Sequence, residues 1–154
     1  MDDPLVETWA IHNRINLYLL AGIPDESLAA YHPPKSRTVF DLFAHMHNVR
    51  LMWLKVSAPE LMEGLINLEP KTLGTREQLV SALEGSGKAV ECLLEKAIAN
   101  GGKVKNFKPH AAAFLGYLIS HESHHRGHIE WVLRFTGQPL NDKVGYGIWE
   151  WGAR

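Results

Sequence analysis

Residues 121–128 have the sequence His-Glu-Ser-His-His-Arg-Gly-His and lie within a long apolar segment near the C-terminus. In this segment, apolar residues and two histidines recur at steps of three and four residues, which is the spacing of one face of an α-helix. That face contains Phe114, Leu118, His121, His125, Ile129 and Val132. The pattern predicts a helix from about Pro109 to Thr136, with Gly137 and Pro139 as stop signals.

Three other segments have helical periodicity, and no segment shows convincing strand alternation. The predicted helices run from about Pro4 to Ala21, capped by Asp2 or Asp3, from Thr38 to Ser57, and from Thr75 to Ala99. The last of these begins with Thr-Arg-Glu-Gln, which has the spacing of a capping box. Four amphipathic helices without a sheet predict an all-α protein, a four-helix bundle with long connections.

Two further features bear on how the bundle packs. The tail, residues 138–154, is rich in glycine and aromatic residues and is too apolar for a disordered end. We therefore expect an aromatic C-terminal tail that packs over the bundle or in a subunit contact. Gly85 and Gly87 lie inside the third helix and indicate either a close helix contact or a break.

Composition and charge limit the classes of function. The 154 residues suffice for one domain, residues 1–154, and 45% apolar content is ordinary for a globular protein. The net charge of -1, with mixed signs along the chain, argues against a nucleic-acid partner. Short apolar runs and an acidic N-terminus predict neither a membrane span nor a signal peptide. The single cysteine, Cys92, excludes an internal disulfide and fits a cytoplasmic protein.

The histidines carry the strongest functional signal, because six of the nine fall in two short clusters. His121 and His125 are four residues apart on one apolar face, where burial of unpaired imidazoles is costly and a bound metal would relieve that cost. His45 lies on the apolar face of the second helix and is the favoured third ligand. His47, which falls on a more polar side of that helix, is the alternative. Three nitrogen ligands leave a coordination position open, as in catalytic metal sites.

The residues beside these histidines are expected to have other roles. Glu122 is either a general base near a metal-bound water or, as we favour, a solvated residue on the neighbouring face. We expect His124 to face solvent, His128 to lie at the edge of the site or on the surface, and His12 to be a core histidine or to stand behind a ligand.

Residues 121–125 also satisfy H-E-x-x-H, the metalloprotease signature with glutamate as general base. The extended form requires a glycine three residues later and a histidine three beyond that, where this chain has His128 and Trp131. Without these residues and without a sheet, the protease hypothesis is disfavoured.

The same residues resemble the DinB/YfiT-like family of metal-binding four-helix bundles. The resemblance depends on Ala44-His45, on Trp53 eight residues later, and on residues 121–129, which are similar to the family's H-x-x-x-H-R-G-Q-I motif except at His128. Residues 145–151 also resemble the endings of some members. The resemblance implies a metal-binding triad of His45, His121 and His125, a divalent ion such as zinc or nickel, and a homodimer. Several relatives are transferases or isomerases that use bacillithiol, mycothiol or glutathione.

The leading hypothesis is therefore a metal-dependent transferase that joins a low-molecular-weight thiol to a small electrophile, since a metal favours the thiolate. Trp53 and the tail aromatics would supply an apolar wall. Arg50 or Arg126 would hold an anionic group or form only surface ion pairs, and the surface role is favoured for Arg126. The alternatives are a metal-dependent hydrolase, a non-catalytic metal-binding or stress-response module, and a bundle that binds no metal.

Overall fold

The computed structural model describes residues 3–154, and within them four long helices carry the fold. They are α1 (Pro4–Ala21), α2 (Val39–Ser57), α3 (Arg76–Ala99) and α4 (Ala111–Phe135), followed by a short α5 (Asp142–Gly147). Single 3-10 turns occupy Asp25–Ala29, Pro59–Met62 and Trp151–Ala153. The described part of the chain contains no strand, so the predicted all-α bundle is confirmed.

The helix starts follow from side-chain caps that satisfy otherwise unpaired backbone N–H groups. Asp3 caps α1, whereas Thr38 and Thr75 begin α2 and α3 with capping boxes. These starts agree with the sequence to within a residue. Helix α4 begins two residues later than predicted, because the His110 ring accepts the N–H of Ala113 at 3.1 Å and so caps the helix at residue 110.

The two glycines of α3 mark a close helix contact, which decides between the two alternatives left by the sequence. Helix α3 is continuous through Gly87, whose carbonyl accepts the indole N–H of Trp9 at 2.8 Å. A Cβ atom at Gly87 would lie 2.3 Å from the Asn13 side chain, and one at Gly85 would lie 2.9 Å from Leu65. The glycines therefore let α1 and a connecting loop approach the backbone of α3.

The apolar core consists of two clusters, one at each end of the bundle. Ile15, Leu19 and Ile129 belong to one cluster, while Trp9 and Phe114 belong to the other. Between them lies a layer of buried polar side chains, which we call the polar layer: His12, Asn16, Arg50, Ser86, Glu122 and Arg126. Helices α1, α2, α3 and α4 all contribute to this layer.

The C-terminal tail packs on the bundle only in part. Ile148 is buried in the core, and the half-buried Trp151 ring lies 6.4 Å from the ring of His12. Tyr146 and Trp149 are about three-quarters exposed, at 74% and 75%. None of the four long helices, nor α5, is long and apolar enough to cross a bilayer.

Candidate metal centre

The structure brings His45 of α2 together with His121 and His125 of α4. Each ring offers a nitrogen, and these three nitrogens all lie within 4.8 Å of one another. The ring centroids are 5.2 Å apart for His45 and His121, 4.7 Å for His45 and His125, and 4.6 Å for His121 and His125. Three imidazoles from two helices therefore converge on one point, which is what shared ligation of one ion requires.

The spacing within α4 fits a divalent metal ion. The Nε2 atoms of His121 and His125 are 3.2 Å apart. Two ligands of a tetrahedral ion with metal–nitrogen distances of about 2.0–2.1 Å are separated by about 3.3 Å. The Nδ1 atoms of both rings are buried and have no hydrogen-bond partner among the described residues. The described protein groups thus leave these two ring atoms without a partner, and three imidazole nitrogens are a donor set that can hold a divalent metal ion.

The histidines of this group are held neutral, the form that can ligate a metal. Burial, together with the charge of Arg37 and the neighbouring His121, lowers the pKa of His45 to about 4. Burial and the adjacent His121 and His45 rings lower the pKa of His125 to about 3. Burial also lowers the pKa of His121. A lone pair on each ring is therefore available at neutral pH.

His47, the alternative third ligand, does not join the group. Its side chain is 1% exposed, and its Nε2–H donates to the carbonyl of Ile66 at 2.8 Å. The expectation that it lies on a more polar side of the helix was wrong, because the loop between α2 and α3 folds over this face. Asn48 holds the same loop in place, because its side-chain amide donates to the carbonyl of Leu68 and its Oδ1 accepts the N–H of Leu68.

Glu122 is neither a solvated residue nor a base beside the histidines. It is fully buried and forms a two-bond ion pair with Arg50, whose Nε and Nη2 donate to Oε2 and Oε1 at 2.8 and 2.6 Å. His12 Nε2 and Asn16 Nδ2 also bond Oε1, at 3.2 and 2.8 Å. Burial alone would raise the pKa of Glu122, but the Arg50 charge and these hydrogen bonds hold it well below its usual range.

Arg126 and Arg50 do not form the surface ion pairs that the sequence suggested, because both side chains are buried. Arg126 is 8% exposed and donates to Asn16 Oδ1 at 2.7 Å and to His12 Nδ1 at 3.3 Å. Arg50 is fully buried over the Trp9 ring, 4.8 Å from its centroid. Neither guanidinium is free to hold a substrate anion, because both are committed to the polar layer. His12 is accordingly a core histidine.

The remaining neighbours frame the group. His124 is exposed, as expected, and His128 is half-buried and outside the group. The Tyr117 ring stacks at 6.4 Å from His121 and belongs to an aromatic cluster with Trp53, Phe107 and Phe114. Trp53 reaches the histidine group only through the Tyr117 ring, at a centroid distance of 5.6 Å, and its role as a wall for a substrate stays a prediction. The tail aromatics do not contribute to such a wall, since Tyr146 and Trp149 line a separate cavity with Glu130 and Arg134.

A cavity of about 320 Å³ opens beside His45. Its walls come from the loop before α2, the first turns of α2 and the loop before α3. They comprise Lys35, Ser36, Arg37, Asp41, Ala44, His45, Asn48, Leu68, Pro70 and Lys71. A small molecule in this cavity would contact one wall of the histidine group.

Comparisons with known proteins agree with the fold. The model of the DinB family matches residues 1–142. The crystal structure of a DinB-like protein (YjoA) from Bacillus subtilis superposes with a TM-score of 0.61 at 18% identity, covering 90% of this chain and 96% of that one. At this identity the likeness shows the fold alone. No curated protein matches. Because the family model spans most of the chain, this protein belongs to the DinB family.

Proposed function

We propose that this protein is a metal-dependent transferase that joins a low-molecular-weight thiol to a small electrophile. The observation that carries the proposal is the convergence of three neutral imidazoles at the edge of a cavity. The group found among residues 3–154 has three members, so a tetrahedral ion held there would keep one position for an exogenous ligand. Zinc and nickel are the ions that we favour for it.

The residues of the chain divide the work in this proposal. His45, His121 and His125 would hold the ion, which when bound would favour the thiolate form of a coordinated thiol, the reactive nucleophile. Tyr117 and Trp53 would pack against the apolar part of the electrophile, beside His121. The neutral state of the three rings keeps their lone pairs free for ligation at the pH of the reaction.

The structure disfavours a hydrolase in which Glu122 is the general base. A base must accept a proton at the reacting water, whereas both carboxylate oxygens of Glu122 accept hydrogen bonds from Arg50 inside the polar layer. The non-catalytic metal-binding module uses the same three histidines and remains the second candidate. It differs from the transferase only in the absence of turnover.

Metal analysis and a thiol-consumption assay test the proposal. We expect about one zinc or nickel ion per chain and metal-dependent consumption of a biological thiol with a model electrophile such as 1-chloro-2,4-dinitrobenzene. His121→Ala should abolish both, whereas His124→Ala, which alters an exposed neighbour, should abolish neither. Stoichiometric metal without acceleration for bacillithiol, mycothiol or glutathione would favour the binding module. Absence of metal after growth with added zinc and nickel would refute both candidates.

A homodimer is part of the same proposal. On α4, the rings of Trp131 and Phe135 stack at 4.7 Å and are 57% and 54% exposed. Two aromatic side chains next to one another on a helix surface support a subunit contact. Sedimentation velocity on the wild type and on Trp131→Glu would test it, and a wild-type monomer at all concentrations would contradict it.

A further inference from the structure

The cavity beside His45 has an excess of positive charge. Lys35, Arg37 and Lys71 line it, and Asp41 is its one acidic residue. None of the three cations forms an ion pair with another residue in the described part of the chain. The cavity therefore has three unpaired cations and a single carboxylate.

Asp41 forms no ion pair with these cations, and its carboxylate accepts hydrogen bonds from backbone groups instead. One oxygen accepts the N–H of Thr38 in the capping box of α2, and the other accepts the N–H of Lys71 at 3.2 Å. The second bond ties the loop before α3 to the start of α2. Asp41 thus builds the wall of the cavity and leaves the ammonium groups of the lysines without a partner.

The backbone at two of the cations is unusual. Lys35 and Lys71 have φ values of 65° and 62°, a left-handed conformation that is uncommon outside glycine. Glycine or asparagine would adopt it at lower cost. Such strained positions concentrate at ligand-binding sites, and here two of them place lysines on opposite loops of one cavity.

Arg37 connects the cavity to the metal centre. Arg37 lines the same cavity as His45, which belongs to the histidine group. A second cavity of about 520 Å³ shares Lys35, Ser36, Asp41 and Lys71 with the first and extends to Tyr31 and Leu73. A ligand bound by the cations could thus place one end near His45 and its other end in the second cavity.

We propose that Lys35, Arg37 and Lys71 bind the anionic end, a carboxylate or a phosphate, of the small molecule that reaches His45. The planar guanidinium of Arg37 can engage two oxygens at once, while the lysines act as point charges. The identification of this molecule as the thiol substrate rests on the proposed function. Binding of the anion does not, because the three cations lie outside the histidine group.

Calorimetric titration of the full-length protein at low ionic strength, with its metal content measured, tests the anion site. We expect succinate or inorganic phosphate to bind and the neutral succinamide not to, and the stronger of the two anions identifies the preferred group. Arg37→Gln and Lys71→Gln should each weaken binding about tenfold, whereas Lys88→Gln, an exposed lysine of α3, should leave it unchanged. Affinity should fall as salt screens the charges. Equal binding of succinamide, or unchanged affinity in both cavity variants, would overturn the proposal.

Two further measurements separate this inference from the proposed function. His121→Ala, which is expected to lose the metal, should keep anion binding that depends on Arg37. In the metal-loaded wild type, kcat/KM should favour mercaptosuccinate over thioglycerol about tenfold, and Arg37→Gln should bring that ratio close to one. Anion binding without turnover of these two thiols or of bacillithiol, mycothiol or glutathione would refute the transferase and leave the anion site standing. Turnover of both thiols at equal efficiency, with no binding of succinate or phosphate, would refute the anion site and leave the transferase standing.

Discussion

We predict that Glu122→Gln destabilises the protein strongly without removing the metal site. The side chains of Arg50 and Glu122 are both fully buried and share two hydrogen bonds, at 2.8 and 2.6 Å. Glutamine keeps the shape of the side chain and one carbonyl oxygen but removes the negative charge. The substitution therefore leaves Arg50 charged and without its counter-ion in the centre of the bundle.

The magnitude follows from the cost of an uncompensated charge. Removing one partner of a buried ion pair costs about 3–5 kcal/mol. The amide oxygen of glutamine can still accept one bond from Arg50, so we expect the lower end, about 3 kcal/mol. Urea unfolding followed by circular dichroism measures this as a shift of the midpoint at constant slope. The control is Glu91→Gln, which breaks the surface pair with Lys88 and should cost less than about 1 kcal/mol.

The same variant separates a structural role of Glu122 from a catalytic one. If Glu122 stabilises the polar layer, the folded variant keeps its metal and its activity per folded chain while the urea midpoint falls. If Glu122 were a general base, activity would fall and stability would change little. An unchanged midpoint in Glu122→Gln would refute the assignment of this carboxylate to a buried ion pair.

Three other predictions use sites elsewhere in the chain. His45→Ala should lose the metal, whereas His47→Ala should keep it and lower the free energy of unfolding, because the buried His47 ring holds a loop in place. Elemental analysis and urea unfolding check both variants. Metal loss in His47→Ala alone would make His47 the ligand. Gly87→Ala should lower the free energy of unfolding by about 1–3 kcal/mol, because the new methyl group meets Asn13. Gly116→Ala, in open space on α4, should raise it by up to about 1 kcal/mol. Urea unfolding measures both, and stabilisation by both substitutions would contradict the close contact at Gly87. Acidification from pH 7 to pH 4 should destabilise the metal-free protein. In the unfolded chain His45 takes up a proton near pH 6.5, whereas its pKa in the folded protein is about 4. Unfolding midpoints that stay constant over this range would contradict the lowered pKa of His45.

The fold could be predicted from the sequence because its signals are local. Capping residues such as Thr38 and Thr75 act within one turn of the chain. The glycines that follow the first and third helices, Gly22 and Gly101, are stop signals that act over the same distance. The first residues of the helices could therefore be predicted from short motifs and from the periodicity of apolar residues. The exception, the start of α4 at Ala111, arose because His110 is an unusual cap.

The histidine grouping could also be anticipated, since spacing of four on a helix fixes His121 and His125 on one side. The choice between His45 and His47 was harder, because neither side chain is exposed: His45 is half-buried and His47 is buried. What separates them is a loop that covers His47, and no pattern within α2 indicates where that loop passes. The cations of the cavity, Lys35 and Lys71, were equally hidden, since they are 36 residues apart in sequence.

The polar layer explains why the charged residues next to the histidines were misplaced. A step of one residue on a helix turns the side chain by about 100°, and the sequence suggested that this turn carried Glu122 into solvent. In a bundle with neighbours on several sides, the same turn carries it towards Arg50 of α2, which is buried. The same two helices hold both the ion pair and the histidines, because His45 lies on α2 and His121 precedes Glu122 on α4. One α2–α4 contact thus holds the charged side chains in the polar layer and brings the three imidazoles together, with His45 lining the cavity. The ion pair stabilises the contact between α2 and α4, while the three histidines keep their places on these two helices as long as the bundle is folded.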